Sequence, residues 1–93
     1  MDSVHLQEIT FCKYQLQTLQ KTIELSFPQL LQLRNDVYKL SSHYGMLDII
    51  ESDNFVLLFV ADKQHLLYLD IPQLIYLRNS IDSFFGSVKS VLI

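Results

Sequence analysis

Cysteine, glycine, proline and charge are all scarce in this chain of 93 residues. Its one cysteine, Cys12, excludes an intramolecular disulfide and fits a reducing compartment. With only Gly45 and Gly86, there is no glycine-rich loop to cradle a phosphate. Charged residues are 18% of the chain and the formal net charge is −3. The basic residues Lys13, Lys21, Arg34, Lys39, Lys63, Arg78 and Lys89 are scattered singly. Such scatter cannot neutralise a phosphate backbone, so neither nucleic acid nor an anionic membrane is an expected partner. The longest apolar run, residues 55–61, is far too short to span a bilayer. The first residues, Met1-Asp2-Ser3-Val4-His5, lack the basic and apolar regions of a signal peptide. The expectation is a soluble, cytoplasmic protein.

What the chain does have is apolar content, 49% of its residues, enough for one modest core and a single domain over residues 1–93. Low charge on so small a protein also implies apolar surface outside that core. The most conspicuous pattern is a repeat. Residues 28–35 recur at 72–79, with Pro28/Pro72, Gln29/Gln73, Leu30/Leu74, Leu33/Leu77, Arg34/Arg78 and Asn35/Asn79 identical. Most of this stretch is helix-starting chemistry. Ser26 and Asp70 are capping residues, Gln29 and Gln73 complete capping boxes, and the prolines suit a first turn.

Around these starts the elements follow from period. Residues 4–11 alternate as a strand with a slip at Glu8-Ile9, residues 12–20 are polar and unassigned, and 21–25 form a half-buried strand. The first helix places Leu30, Leu33, Val37, Leu40 and Tyr44 on one face and ends at Gly45 as a left-handed C-terminal residue. An acidic link over 46–53 leads to a strong strand at 54–61, a polar turn and a return strand at 65–69. The second helix follows, with Leu74, Leu77, Ile81, Phe84 and Phe85 inward and Gly86 at its end. Residues 87–93 either extend it or add an edge strand. At the repeat spacing Leu25 also matches Leu69 and Phe11 matches Phe55. The expected fold is α+β: two strand-hairpin–helix (ββα) repeats, residues 4–45 and 54–86, joined by the 46–53 link. They form one antiparallel sheet with two helices on one face.

The second hairpin is apolar on both sides, and leaving one side bare forgoes roughly 1.5–3 kcal/mol per large side chain. The residues assigned to that uncovered side are Val56, Leu58, Val60, Leu66 and Tyr68. The tail at 88–93, the link at 47–50 and a second copy of the chain are the candidate covers. A second copy, in a two-fold homodimer, is the expected one.

Catalytic chemistry finds little support. Cys12, His5, His43 and His65 lack metal-ligand spacing, and Cys12 has no adjacent base to make it a nucleophile. Asp48, Glu51 and Asp53 read as a solvated link. No enzyme activity, metal or cofactor is expected. Arg34-Asn35 and Arg78-Asn79 are the part of the repeat that helix initiation leaves over. They are candidates to bind an anion or a partner at the helix seam, to pair with Asp36 and Asp82, or to cover apolar surface with their stems.

The segments Phe11-Cys12-Lys13-Tyr14-Gln15, Ile23-Glu24-Leu25-Ser26 and Leu67-Tyr68-Leu69-Asp70 resemble a small uncharacterised family of cytosolic Bacteroidetes proteins. That family carries a Cys-x-x-Cys turn near its N-terminus, and Gln15 stands here where its second cysteine falls. The resemblance implies a fold and no activity, and the missing cysteine withholds any metal or redox role. The expected function is a non-enzymatic interaction or structural module acting as a homodimer. The alternative is a small-ligand-binding regulatory domain with a pocket lined by Tyr14, Tyr38, Tyr44, Tyr68 or Tyr76.

Overall fold

The computed structural model describes residues 4–18 and 20–92, with side chains through residue 86. Its elements run β1 (His5–Thr10), β2 (Lys13–Gln17), β3 (Thr22–Ser26), α1 (Phe27–Leu40), α2 (His43–Glu51), β4 (Phe55–Val60), β5 (His65–Asp70) and α3 (Ile71–Leu92). The class is α+β. The strands form two antiparallel sheets, β1-β2-β3 and β4-β5, where a single four-stranded sheet was expected.

Much of the difference lies in the glutamine-rich segment that carries no clear period. Lys13–Gln17 is the central strand of the first sheet, pairing with β1 and β3. Only Tyr14 and Leu16 of it are buried, opposite Leu25 and Ile23 of β3. The other face, Lys13, Gln15 and Gln17 beside Thr22 and Glu24, is polar. The slip at Glu8-Ile9 is a register irregularity between Glu8 and Thr10, and it leaves Ile9 exposed. With β2 at residues 13–17, Lys13 is aligned with the capping Ser26, as Phe55 of β4 is aligned with the capping Asp70. Phe11 therefore lies in a turn and is not the counterpart of Phe55.

The two sheets stay separate because a side chain ends the ladder. Gln20 donates through Nε2 to the Tyr68 carbonyl at 2.6 Å, and its Oε1 accepts the Tyr68 N–H at 3.4 Å. This carboxamide occupies the edge of β5 where another strand's backbone would pair.

Both helix starts follow the repeat. Ser26 accepts the Gln29 N–H while Gln29 Oε1 accepts the Ser26 N–H, a complete capping box. Asp70 and Gln73 make the same reciprocal bonds, at 2.8 and 2.9 Å. From these starts α1 buries Leu30, Leu33 and Val37 and α3 buries Leu74, Leu77 and Ile81. These side chains share one core with Leu16, Ile23, Leu25, Leu58, Leu67 and Leu69.

The first helix is shorter than its apolar period implies. Ser41 turns its hydroxyl back to the Val37 carbonyl at 2.7 Å, and Ser42 caps a new helix by accepting the Gly45 N–H. Tyr44 is consequently 80% exposed on α2 and contributes nothing to the core. The expected acidic link is this helix, which buries Ile49. Gly45 is not a left-handed terminus, since no glycine here has positive φ. Its role is close approach: a Cβ there would lie 2.4 Å from the Lys39 carbonyl oxygen. Gly86 likewise ends nothing, because α3 continues through it.

Gly45→Ala is expected to destabilise the fold by about 1–3 kcal/mol through overpacking. Gly86→Ala, with open space around its Cβ, is expected to be neutral or stabilising by up to ~1 kcal/mol. Denaturant melts of the two variants check this. A second expectation concerns Tyr14, which packs edge-on to Phe84 at 5.8 Å. Burial, and then the nearby Glu8 and Cys12 charges, push its phenol above the ordinary value of 10.0. Folding thus favours the neutral phenol, whose contribution is complete below about pH 10 and is lost as pH rises beyond it. Melts between pH 8 and pH 11 are expected to fall less steeply for Tyr14→Phe than for the parent.

Candidate functional site

The register of β4 and β5 decides which side chains share a face. Leu57 lies opposite Tyr68 and Phe59 opposite Leu66, while Leu58 faces Leu67 and Val56 faces Leu69. The first set points away from the helices. Leu57 is 55% exposed, Phe59 53%, Tyr68 50% and Leu66 38%. Phe55 joins them, stacked on Tyr68 with centroids 4.3 Å apart.

This corrects the expected face. Leu66 and Tyr68 are on the open side, but Leu58 and Val60 are 4% and 3% exposed members of the core. Val56 is half-buried against that core. Strict alternation along β4 defines two sets without saying which set meets the helices, and Leu66 and Tyr68 belong with Leu57 and Phe59, not with Leu58 and Val60. The four-residue connection at 61–64 held the missing information, because it fixes Val60 opposite His65. Among the expected covers, the 47–50 segment is part of α2, with Leu47 and Ile50 themselves exposed. The side chains of the 88–93 tail lie outside the described residues.

The two repeat arginines meet at the helix seam. Arg34 lies over the rings of Phe85 and Tyr38, at 4.8 and 5.3 Å, and Arg78 lies 5.1 Å from the centroid of the same Tyr38 ring. Arg78 Nη1 donates to the carbonyl and hydroxyl oxygens of Ser41, both at 3.3 Å, just past the C-terminus of α1 where positive charge is favoured. Asp82 approaches Arg78 at 4.0 Å and accepts the Tyr38 hydroxyl. Asp36 accepts instead from Gln32. Arg34 Nε is buried with no hydrogen-bond partner among the described residues. The cluster therefore holds two guanidinium charges against one carboxylate, with both arginine heads stacked on aromatic rings. Asn35 and Asn79 do not join it; both are exposed.

Asn79 instead lines an open groove of about 500 Å³ between β1 and α3, with Val4, His5, Tyr76 and Ser80. Of the five tyrosines proposed for a ligand pocket only Tyr76 is there. Tyr14 is in the core, Tyr38 in the seam, Tyr44 on α2 and Tyr68 on the outer hairpin face. Cys12 is exposed in the β1–β2 turn, and His5, His43 and His65 stand on three separate elements. Among the described residues no three His, Cys, Asp or Glu side chains group as metal ligands. No described helix is long and apolar enough to cross a membrane.

No protein-family model matches the chain, and no curated protein or solved structure was found similar to it.

The stacked arrangement at the seam has a measurable consequence. Arg34→Met and Arg78→Met are each expected to cost about 1 kcal/mol or less, since the methionine keeps the packing stem. Tyr38→Ala is expected to cost more than either. In a cycle with the arginine variants its effect should be non-additive by at least ~0.5 kcal/mol, because one ring serves both guanidiniums.

Proposed function

We propose that this protein is a non-enzymatic interaction module that acts as a homodimer through its second hairpin. The observation that carries the reading is the outer face of β4–β5, where Leu57, Phe59, Leu66 and Tyr68 are all substantially exposed. Their open area amounts to roughly two whole large side chains, ~400 Å². That lies in the range of the largest apolar patch on a monomer, roughly 300–600 Å², a patch that is often functional. The first sheet supports the contrast: its corresponding face is Lys13, Gln15, Gln17, Thr22 and Glu24, ordinary solvated surface. Two faces built alike but finished so differently have different neighbours.

The same reading treats the chain as two ββα units, β2-β3-α1 and β4-β5-α3, with β1 added to the first. Seam contacts at a common offset support it. Tyr38 bonds its own counterpart, Asp82, 44 positions on. Arg34 meets Phe85 while Arg78 meets Ser41, so the counterparts exchange partners across a pseudo-two-fold axis. Duplication supplies a scaffold with two equivalent sheets, one of which became apolar outside. An exposed, unpaired Cys12 fits a reducing, cytoplasmic setting.

A small-ligand reading rests on the groove lined by His5, Tyr76, Asn79 and Ser80. It is the weaker one, because the groove is wide open and ligand sites ordinarily enclose most of the ligand's surface.

Light scattering at micromolar concentration is expected to give about twice the 10.9 kDa chain mass. Leu57→Lys/Phe59→Lys should return the mass to that of one chain with little loss of thermal stability, both side chains being on the open face. A clean monomer for the parent protein across this range sinks the homodimer.

A further inference from the structure

Building on the homodimer reading, we propose that the second copy joins antiparallel along the outer edge of β4, with Leu57 on the two-fold axis. The product is one four-stranded sheet, β5-β4-β4-β5, running across two chains.

The direction of the backbone groups comes first. Gln20 takes both the N–H and the C=O of Tyr68, so both point away from β4. In an antiparallel ladder opposed residues share this orientation, and it alternates along the strand. Leu57, opposite Tyr68, therefore turns its own N–H and C=O outward, as do Phe55 and Phe59. Among the described residues no strand lies along that edge and no bond to these groups is seen.

The remaining edges are defended and this one is not. β1 is interrupted by its irregularity and carries His5 and Glu8, β3 has Glu24 at its midpoint, and β5 is held by Gln20. β4 reads Phe55-Val56-Leu57-Leu58-Phe59-Val60. It has no charge, no proline and no bulge, and protein edges that stay unpaired ordinarily carry one of these devices. Its lack of charge also means that a copy of itself meets no repulsion.

Symmetry then selects the register. Paired residues must lie on the same face of the joint sheet, so the axis passes through a residue position. With Leu57 on the axis, Phe55 lies opposite Phe59 of the second copy, and Phe59 opposite its Phe55. Every outward N–H and C=O of the strand then finds a partner, and Phe55, Leu57 and Phe59 of the two copies become side-by-side neighbours on one face of the joint sheet. Moving the axis to Leu58 sets Phe55 opposite Ala61, whose φ of 58° takes it out of the strand. A six-residue strand is only about 20 Å long, so the contact is at the small end of specific interfaces.

The test places single cysteines in a Cys12→Ser background and applies a thiol cross-linker shorter than ~13 Å, the spacing of four strand residues. Leu57→Cys is expected to link to itself. Phe55→Cys and Phe59→Cys are each expected to stay unlinked alone and to link when mixed. Leu57→Pro supplies an independent arm: its N–H faces away from β5, so the hairpin ladder is preserved. Dimerisation should weaken by roughly tenfold or more while the circular dichroism spectrum is unchanged. A dimer with any other cross-linking pattern, or a Leu57→Pro protein that dimerises as the parent does, overturns the edge and leaves the homodimer standing. A parent protein that scatters as a monomer overturns both.

Discussion

Burial of the α1–α3 seam is the constraint on which the rest of this structure depends. Leu30, Leu33 and Val37 on one helix and Leu74, Leu77 and Ile81 on the other are almost wholly removed from water. Each helix meets a sheet face as well as the other helix, α1 lying on β3 and α3 on β5. Each hairpin accordingly offers one apolar face inward, Tyr14, Leu16, Ile23 and Leu25 in the first and Leu58, Val60, Leu67 and Leu69 in the second. Capping fixes where the helices begin, so the seam's register follows from Ser26 and Asp70. The arginines then close the seam over a ring instead of over a pool of counter-charge.

The parts of this arrangement legible in the sequence are those where one local rule acts without competition. Capping boxes at Ser26/Gln29 and Asp70/Gln73, the inward stripes of both helices and the β4–β5 hairpin all follow from period and cap chemistry. β2 was hidden because only Tyr14 and Leu16 meet the core, and the glutamines around them suit either a loop or a solvated strand face. The break between α1 and α2 was hidden because the apolar period continues through Ser41 and Ser42, whose hydroxyls redirect the backbone. The open face of the second hairpin was legible in kind but not in detail. That β4 has one side too many for its core is plain from composition, whereas the identity of the open side depends on where the helices dock.

The arginine pair shows a different limit. Their meeting at the seam is in keeping with their shared place in the sequence repeat, each one position past an inward leucine, Leu33 or Leu77. Their chemistry does not follow from it. Arg78 finds Ser41 and Asp82, while Arg34 finds the rings of Tyr38 and Phe85. A repeated motif thus gives rise to two distinct sites, and among the described residues hydrogen bonds are seen only at the Arg78 guanidinium.

The Gln20 clasp on Tyr68 has a consequence in time as well as in space. Its two ends are 48 positions apart, so the edge of β5 is protected only after both halves of the chain have met. A chain emerging N-terminus first holds Gln20 ready long before Tyr68 exists, and the side of α1 that meets α3 stays bare over the same interval. Neither half can finish alone. The seam closes a loop of some forty residues, an entropic cost incurred before most of the reward arrives. Any event that parts the halves exposes the β5 edge and the helix stripes together, so partial opening of this protein presents a sticky strand and a sticky core at the same moment.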